Sequence, residues 1–284
     1  MRKSISLLTV LCLLVSVSAL AQQESTTKQK KKMHGTFFFN WGYHRDAYTQ
    51  STIQFKDNTT PNTPRYDFTF HHAKAHDQLD MNDFFNTPPT VPQYILTGGY
   101  FFNDKNDLGV EVCWNHLKYI VTDNQMIHMT GTIEGQSYDL DTLVTPDFVH
   151  FEHTNGNNYL IVSLLKRVQM LSSKNQQHKL SANFRFGPGL LIPKTYSDIT
   201  LNNTLYHNDG PFRVSGWVVG IGAAVRYDFF RYFFFEPSIK GSFVDYTNVK
   251  LYGDGRANHK FFSVQYILSL GFNVPIGQGK LFGN

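Results

Sequence analysis

The chain has 284 residues, with 26 Lys+Arg against 22 Asp+Glu, a formal charge of +4 and a mean hydropathy of −0.31. That near balance argues against a nucleic-acid partner, two cysteines exclude a disulfide scaffold, and the lack of any ~20-residue apolar run excludes a spanning helix. The excess is aromatic, 25 Phe and 15 Tyr. In a chain of negative hydropathy it points to apolar residues hidden on alternate strand positions.

Residues 1–21 read as a secretory signal. Met1-Arg2-Lys3 is a basic start, Ile5 to Val17 is apolar, and Ala19-Leu20-Ala21 is a cleavage site. Cys12 lies in the middle of the apolar run, the wrong place for lipidation. Loss of Arg2 and Lys3 takes Lys+Arg from 26 to 24, which against 22 Asp+Glu leaves a charge of +2. The remaining cysteine, Cys113, reads as a small packed residue. Residues 22–33, ending in Lys30-Lys31-Lys32, carry no periodicity and read as a disordered periplasmic lead-in. Residues 34–284 form a single barrel domain.

Within it, period-two alternation marks strands. The first, His34 to Tyr48, sets Phe37, Phe39, Trp41 and Tyr43 against Thr36, Asn40, Gly42 and His44. A second, Gln93 to Asn103, turns at 103–106 into a third that begins at Leu108. A fourth is expected from Phe151 through Tyr159 to Met170, and a fifth from Lys179 to Ile192 after the turn at 172–177. The sixth, Arg213 to Phe229, has a small-residue face of Gly216, Gly220 and Gly222. The seventh starts at Phe233 after a short turn, and the eighth runs from Lys260 to Val274.

The fold class expected is therefore all-β, a transmembrane antiparallel up-and-down β-barrel of eight strands with long extracellular loops. Short connections (103–106, 172–177, 229–232) alternate with long ones (49–92, 121–150, 193–212, 247–258), as in bacterial outer-membrane barrels. Eight strands leave an interior that side chains fill, which disfavours an open pore. The inward positions carry both charge signs: Glu111, Asn115, Asn183, Arg185, Arg226, Glu236, Lys240 and Gln265. Because isolated buried charges are costly, these are expected to pair into a lumen polar network.

Two loop clusters have chemistry-bearing residue types. His71, His72, His76 and Asp77 are of ligand type for zinc or copper, although adjacent strand residues point to opposite faces. The 49–92 loop around them is expected to rise as a hairpin near Tyr66 to Phe70. The second cluster is Glu152-His153-Thr154-Asn155, at the expected outer end of the fourth strand. No cofactor is expected.

In its signal peptide, eight alternating segments, loop asymmetry and aromatic strand ends, the chain resembles the small eight-stranded outer-membrane β-barrel domain proteins of Gram-negative bacteria. The resemblance implies outer-membrane localisation and contact with outer-membrane lipid and lipopolysaccharide. It also implies a non-enzymatic role, in loop-mediated binding or adhesion, or in an envelope or secretion assembly with an external ligand or envelope partner. Separately, His153 followed by Thr154 and Asn155 resembles the motif of the outer-membrane lipid A deacylases, which would make the protein a lipid hydrolase working from the barrel surface. The residue two places after the histidine, the nucleophile position of that motif, is Asn155. A hydroxyl of Thr154 or Ser163 with Glu152 as acid would have to serve. The third alternative is a secreted lipocalin-like carrier, whose outward faces would be polar.

Overall fold

The computed structural model describes residues 35–78, 93–102 and 107–276. The signal, the lead-in and the expected turn at 103–106 lie outside them. The described strands, in chain order, are β1 (Gly35–Tyr48), β2 (Ser51–Asp57), β3 (Tyr66–Ala73), β4 (Ala75–His76), β5 (Tyr94–Phe101), β6 (Leu108–Leu117), β7 (Ile120–Val121), β8 (Gln125–Ile133) and β9 (Gln136–Val144). Then follow β10 (Val149–Glu152), β11 (Asn157–Ser172), β12 (Lys179–Pro193), β13 (Tyr196–Leu201), β14 (Thr204–Asp209), β15 (Gly216–Phe229), β16 (Phe233–Lys250) and β17 (Arg256–Ile276). No helix occurs among the described residues.

Eight of these strands close a ring. Antiparallel pairing runs β1-β5-β6-β11-β12-β15-β16-β17, and β17 returns to β1 from Gly35↔Ile276 to Tyr48↔Ser263. Closure removes the free edges that a membrane would leave without hydrogen-bond partners. Alternation then sorts side chains between lumen and exterior. On β17, Tyr266, Leu268 and Leu270 are each about 60% exposed, whereas Gln265 and Ser269 are buried; β15 repeats this with Ile221 and Val225 outside. A continuous apolar exterior around polar contents is the surface of a barrel dissolved in lipid, and it removes the carrier reading. Arginine at Leu268, midway along this belt, should therefore cost about 2–4 kcal/mol, measured as a lower urea midpoint for the heat-modifiable band in micelles. An unchanged midpoint would mean that the belt does not face lipid.

The long connections carry the expected hairpin near Tyr66 to Phe70 and also strands that were expected only as loops. The expected loop at 49–92 contains the hairpin β2–β3, and 121–150 contains β8–β9, joined by the two-residue turn Glu134-Gly135 with both φ positive. The connection after β12 contains β13–β14, turning at Asn202-Asn203, again with both φ positive. These are the backbone values of a type I′ hairpin, which asparagine and glycine adopt readily. The expected fourth strand is broken. Its first part, β10, belongs to a different sheet, and Gly156 at φ +140 redirects the chain into β11.

Two sheets result above the ring. The first continues the barrel wall: Arg256 to Lys260 of β17 pair with β2, and the ladder goes on through β3 and β8 to β9. The second has the order β14-β13-β10-β7-β4. Between them lies the largest apolar core, with Ile53, Phe55, Phe68 and Phe70 from one sheet meeting Val121, Val149, Phe151 and Ile199 from the other. Phe55 touches Phe68 at 5.2 Å and Phe151 at 5.4 Å between ring centroids. Gly131 on β8 serves this packing, since its φ of +129 and its approach to the Asp67 backbone leave no room for a Cβ. The core extends into the barrel mouth through Tyr159, Leu191, Val218 and Val244.

Candidate functional site: a plugged lumen beneath a packed cap

The lumen is crossed by a charged network nearer the short-turn end. Glu236 on β16 accepts from Arg185 Nη2 at 2.6 Å, from Arg226 Nε at 2.6 Å and from Asn183 Nδ2 at 2.7 Å. Arg185 also pairs with Glu111 at 3.4 Å, and Arg167 donates to Asn183 at 3.2 Å. The Arg226 guanidinium lies over the rings of Phe234 (3.7 Å) and Phe38 (4.7 Å), so its faces as well as its edge have partners. Lys240 reaches Cys113 Sγ at 3.7 Å, and Cys113 in turn approaches Asn115 at 3.4 Å. All eight inward residues singled out in the sequence, Asn115 and Gln265 included, are buried. Arg185, Arg226, Glu236 and Glu111 thus pair with opposite charge, Arg167 lies over Phe101 at 4.1 Å, and Lys240 meets the thiol of Cys113, so the network crosses the bore.

The mouth of the lumen is closed by rings. Tyr119, His153, Tyr246, His259 and Phe261 pack at centroid distances of 4.7 to 6.3 Å, with Tyr246 and His259 stacked at 4.8 Å. His153 is fully buried. Its Nδ1 bonds Thr195 Oγ1 at 2.9 Å and its Nε2 lies 3.4 Å from His259 Nε2. The hydroxyl of Thr154 donates instead to Glu152 at 2.5 Å, and Glu152 faces His150 at 3.3 Å. His153, Thr154 and Glu152 therefore form no acid–base–nucleophile relay, and the histidine is not on the barrel surface. Ser163 is buried further along β11.

The other histidine cluster is dispersed. His71 on β3 bonds Thr130 at 2.8 Å, His72 takes a positive φ of 56° at a bulge, and His76 Nδ1 meets the carbonyl of Asp77 at 2.6 Å. Asp77 is clamped by Arg45 at 2.8 and 3.0 Å and also accepts from the Asp46 amide. Among the described residues no three His, Cys, Asp or Glu side chains are gathered as a metal site.

Two cap histidines lie in opposite electrostatic settings. His150 is held up at about 9 by its bonds to Glu152 and to Asp123, whereas burial pushes His153 down to about 3. A raised value stabilises below the ordinary histidine pKa of ~6.5 and is lost as pH climbs towards 9; a depressed value stabilises above ~6.5 and is lost as pH falls towards 3. Cap stability should therefore fall on both sides of neutrality, by roughly 1.4 kcal/mol per pH unit from His153 alone on the acid side. Protease sensitivity of the cap from pH 7 to pH 5 measures this. His153→Phe should make the acid limb shallower without abolishing it, because His259, buried beside it, is pushed down in the same sense; an equally steep limb in that variant would contradict the assignment.

One open concavity faces outward at the junction of cap and barrel, a cleft of about 850 Å³ lined by β2, β3, β16 and β17. Its walls are polar, with Thr52, Gln54, Thr69 and Asn258 beside the ion pair of Lys260 and Asp245 at 3.2 Å. Neither this cleft nor the ring cluster was evident in the sequence, because both arise from register between segments far apart in the chain, Thr52 with Lys260 in the cleft and Tyr119 with Phe261 in the ring cluster.

A closed eight-stranded barrel with an apolar exterior, a filled polar lumen and a cap at its long-connection end defines an outer-membrane β-barrel protein. No family model matches the sequence, and no curated protein does. Among solved structures it is similar to the outer membrane protease OmpT from Escherichia coli (8% identity, covering 88% of this chain and 100% of that one, TM-score 0.40). It is also similar to the outer membrane protein AlkL in DMPC bilayers (11%, 92% and 100%, TM-score 0.35) and to the N-terminal β-barrel domain of Pseudomonas aeruginosa OprF (11%, 86% and 100%, TM-score 0.30). The register of the ring and its lipid-facing belt, rather than these weak similarities, define the class.

Proposed function

We propose that the protein is a non-enzymatic binding protein of the outer membrane, with the barrel as anchor and the cap as an outward-facing recognition platform. The observation that carries this reading is the position of the main apolar core, which is built between the two sheets of the long connections and reaches down into the barrel mouth. Connections that served only to join strands would need no shared core of phenylalanines. The lumen supports the same reading, since Arg185, Arg226 and Glu236 occupy the path that a diffusion pore would need. The buried state of His153 favours binding over lipid hydrolysis.

The test uses cells displaying the full chain. Retention on host-cell and matrix-coated surfaces is compared with that of a variant in which residues 125–144 are replaced by a short turn. The reading expects several-fold lower retention for the variant, together with an unaltered lipid A mass spectrum for both. Loss of acyl chains from lipid A on expression, or nanosiemens conductance in planar bilayers, would contradict it.

A further inference from the structure

The cleft at the junction of cap and barrel has no place in the anchor or in the plug. On β17, Lys260 precedes Phe262 by two residues, so both lie on the outward face and are separated by roughly 7 Å along the strand. Phe262 is 59% exposed and packs on Phe243 at 5.1 Å, and Phe243 packs on Trp217 at 5.5 Å. This aromatic row is the upper rim of the lipid-facing belt, where such side chains mark the boundary between hydrocarbon and headgroups. The cleft opens directly above it, at headgroup height.

Its chemistry is specific in two respects. The walls offer hydroxyls from Thr52 and Thr69 and amides from Gln54 and Asn258, while the one lysine is offset by one aspartate. A site for clustered phosphates would carry an excess of Lys and Arg. In addition, the exposed Lys260 ammonium is held at the wall of the cleft by Asp245 Oδ2 at 3.2 Å, so it offers N–H donors without leaving an excess of positive charge. Several closely spaced donors and acceptors, little net charge and an adjacent aromatic rim match a neutral, hydroxyl-rich ring.

We propose that this cleft binds a neutral saccharide, with the wall hydroxyls and amides of Thr52, Gln54, Thr69 and Asn258 and the ammonium of Lys260 hydrogen-bonding the sugar hydroxyls, and the aromatic row seating the ring or its lipid anchor. The inference rests on the reading of the cap as a binding platform and names the ligand class for one face of it. Two sources present this chemistry, the headgroup of an outer-leaflet glycolipid and a soluble glycan.

The test uses the full chain in phosphatidylethanolamine nanodiscs. One arm measures binding to an array of neutral, sulfated and phosphorylated oligosaccharides. The other measures enrichment of galactosyl diacylglycerol around the protein. Thr52→Trp fills the cleft, Asn258→Ala removes an amide from its wall, and Lys174→Gln, exposed in the short turn after β11 at the opposite end of the barrel, is the control. The expected result is neutral-glycan binding in the first arm, or glycolipid enrichment in the second, reduced at least about tenfold by both cleft variants and unchanged by the control. Binding confined to anionic glycans, binding that both cleft variants retain, or no signal in either arm would overturn the proposal. The heat-modifiable gel shift checks that each variant is folded. If Thr52→Trp keeps full surface retention while loss of residues 125–144 abolishes it, the saccharide site falls and the cap reading stands.

Discussion

Replacing Glu236 with alanine should destabilise the barrel by about 3–5 kcal/mol, the largest effect expected of any single lumen change. Glu236 is fully buried and is the common partner of Arg185, Arg226 and Asn183. Its removal leaves two buried guanidiniums with one nearby carboxylate, Glu111, which lies 3.4 Å from Arg185. The unfolded chain hydrates those charges; the folded lumen does not. The effect is read as a lower urea midpoint for the gel-shifted band in micelles. Glu236→Leu combined with Arg226→Met should recover much of the loss, because the guanidinium left without a carboxylate goes too while Arg185 keeps Glu111. If the single variant were as stable as the parent, the network would be hydrated and the lumen open. The same variant should then conduct ions, which the plugged lumen does not predict for the parent.

The second large effect belongs to the cap and should remain local to it. Phe68 is fully buried and packs on Phe55, Phe70, Tyr66 and Phe148. Truncation to alanine removes a ring from the centre of the two-sheet core and should cost about 3–5 kcal/mol. The barrel's ladder is independent of that contact, so the cap should open to protease while the heat-modifiable shift persists. Parallel loss of cap and barrel would mean that the two fold as one cooperative unit; no increase in cleavage would mean that the core is not where the cap's stability resides.

The ring of strands was legible in the sequence because membrane burial imposes a strict period of two. Phe37, Phe39 and Trp41 point out and Asn40 points in, as the alternation of the first strand requires, and β17 follows the same pattern over a longer span. The charge pairing within the lumen could be anticipated as a need but not as a geometry. Arg185, Arg226 and Glu236 meet only because β12, β15 and β16 are neighbours in register. The cap was less legible. Its strands are short, and their signals, Glu134-Gly135 and Asn202-Asn203 between alternating residues, sit inside segments that length alone marked as loops. The break at Gly156 falls in the polar stretch Glu152 to Asn158 within the expected fourth strand, and periodicity does not show which sheet the part on either side joins. His153 illustrates the same limit: its polar neighbours in sequence suggest an exposed strand end, whereas its neighbours in space are Tyr119, Tyr246 and His259.

The central claim is a closed membrane barrel carrying a folded, tightly packed cap in place of ordinary loops, and hydrogen exchange of the full chain in nanodiscs tests it most directly. The structure predicts slow exchange for the amides of β2, β3, β8 and β10 as well as for the ring strands, with fast exchange confined to turns such as 134–135, 174–176 and 202–203. Exchange of residues 51–73 and 125–152 at the rate of unstructured peptide, beside a protected ring, would contradict it.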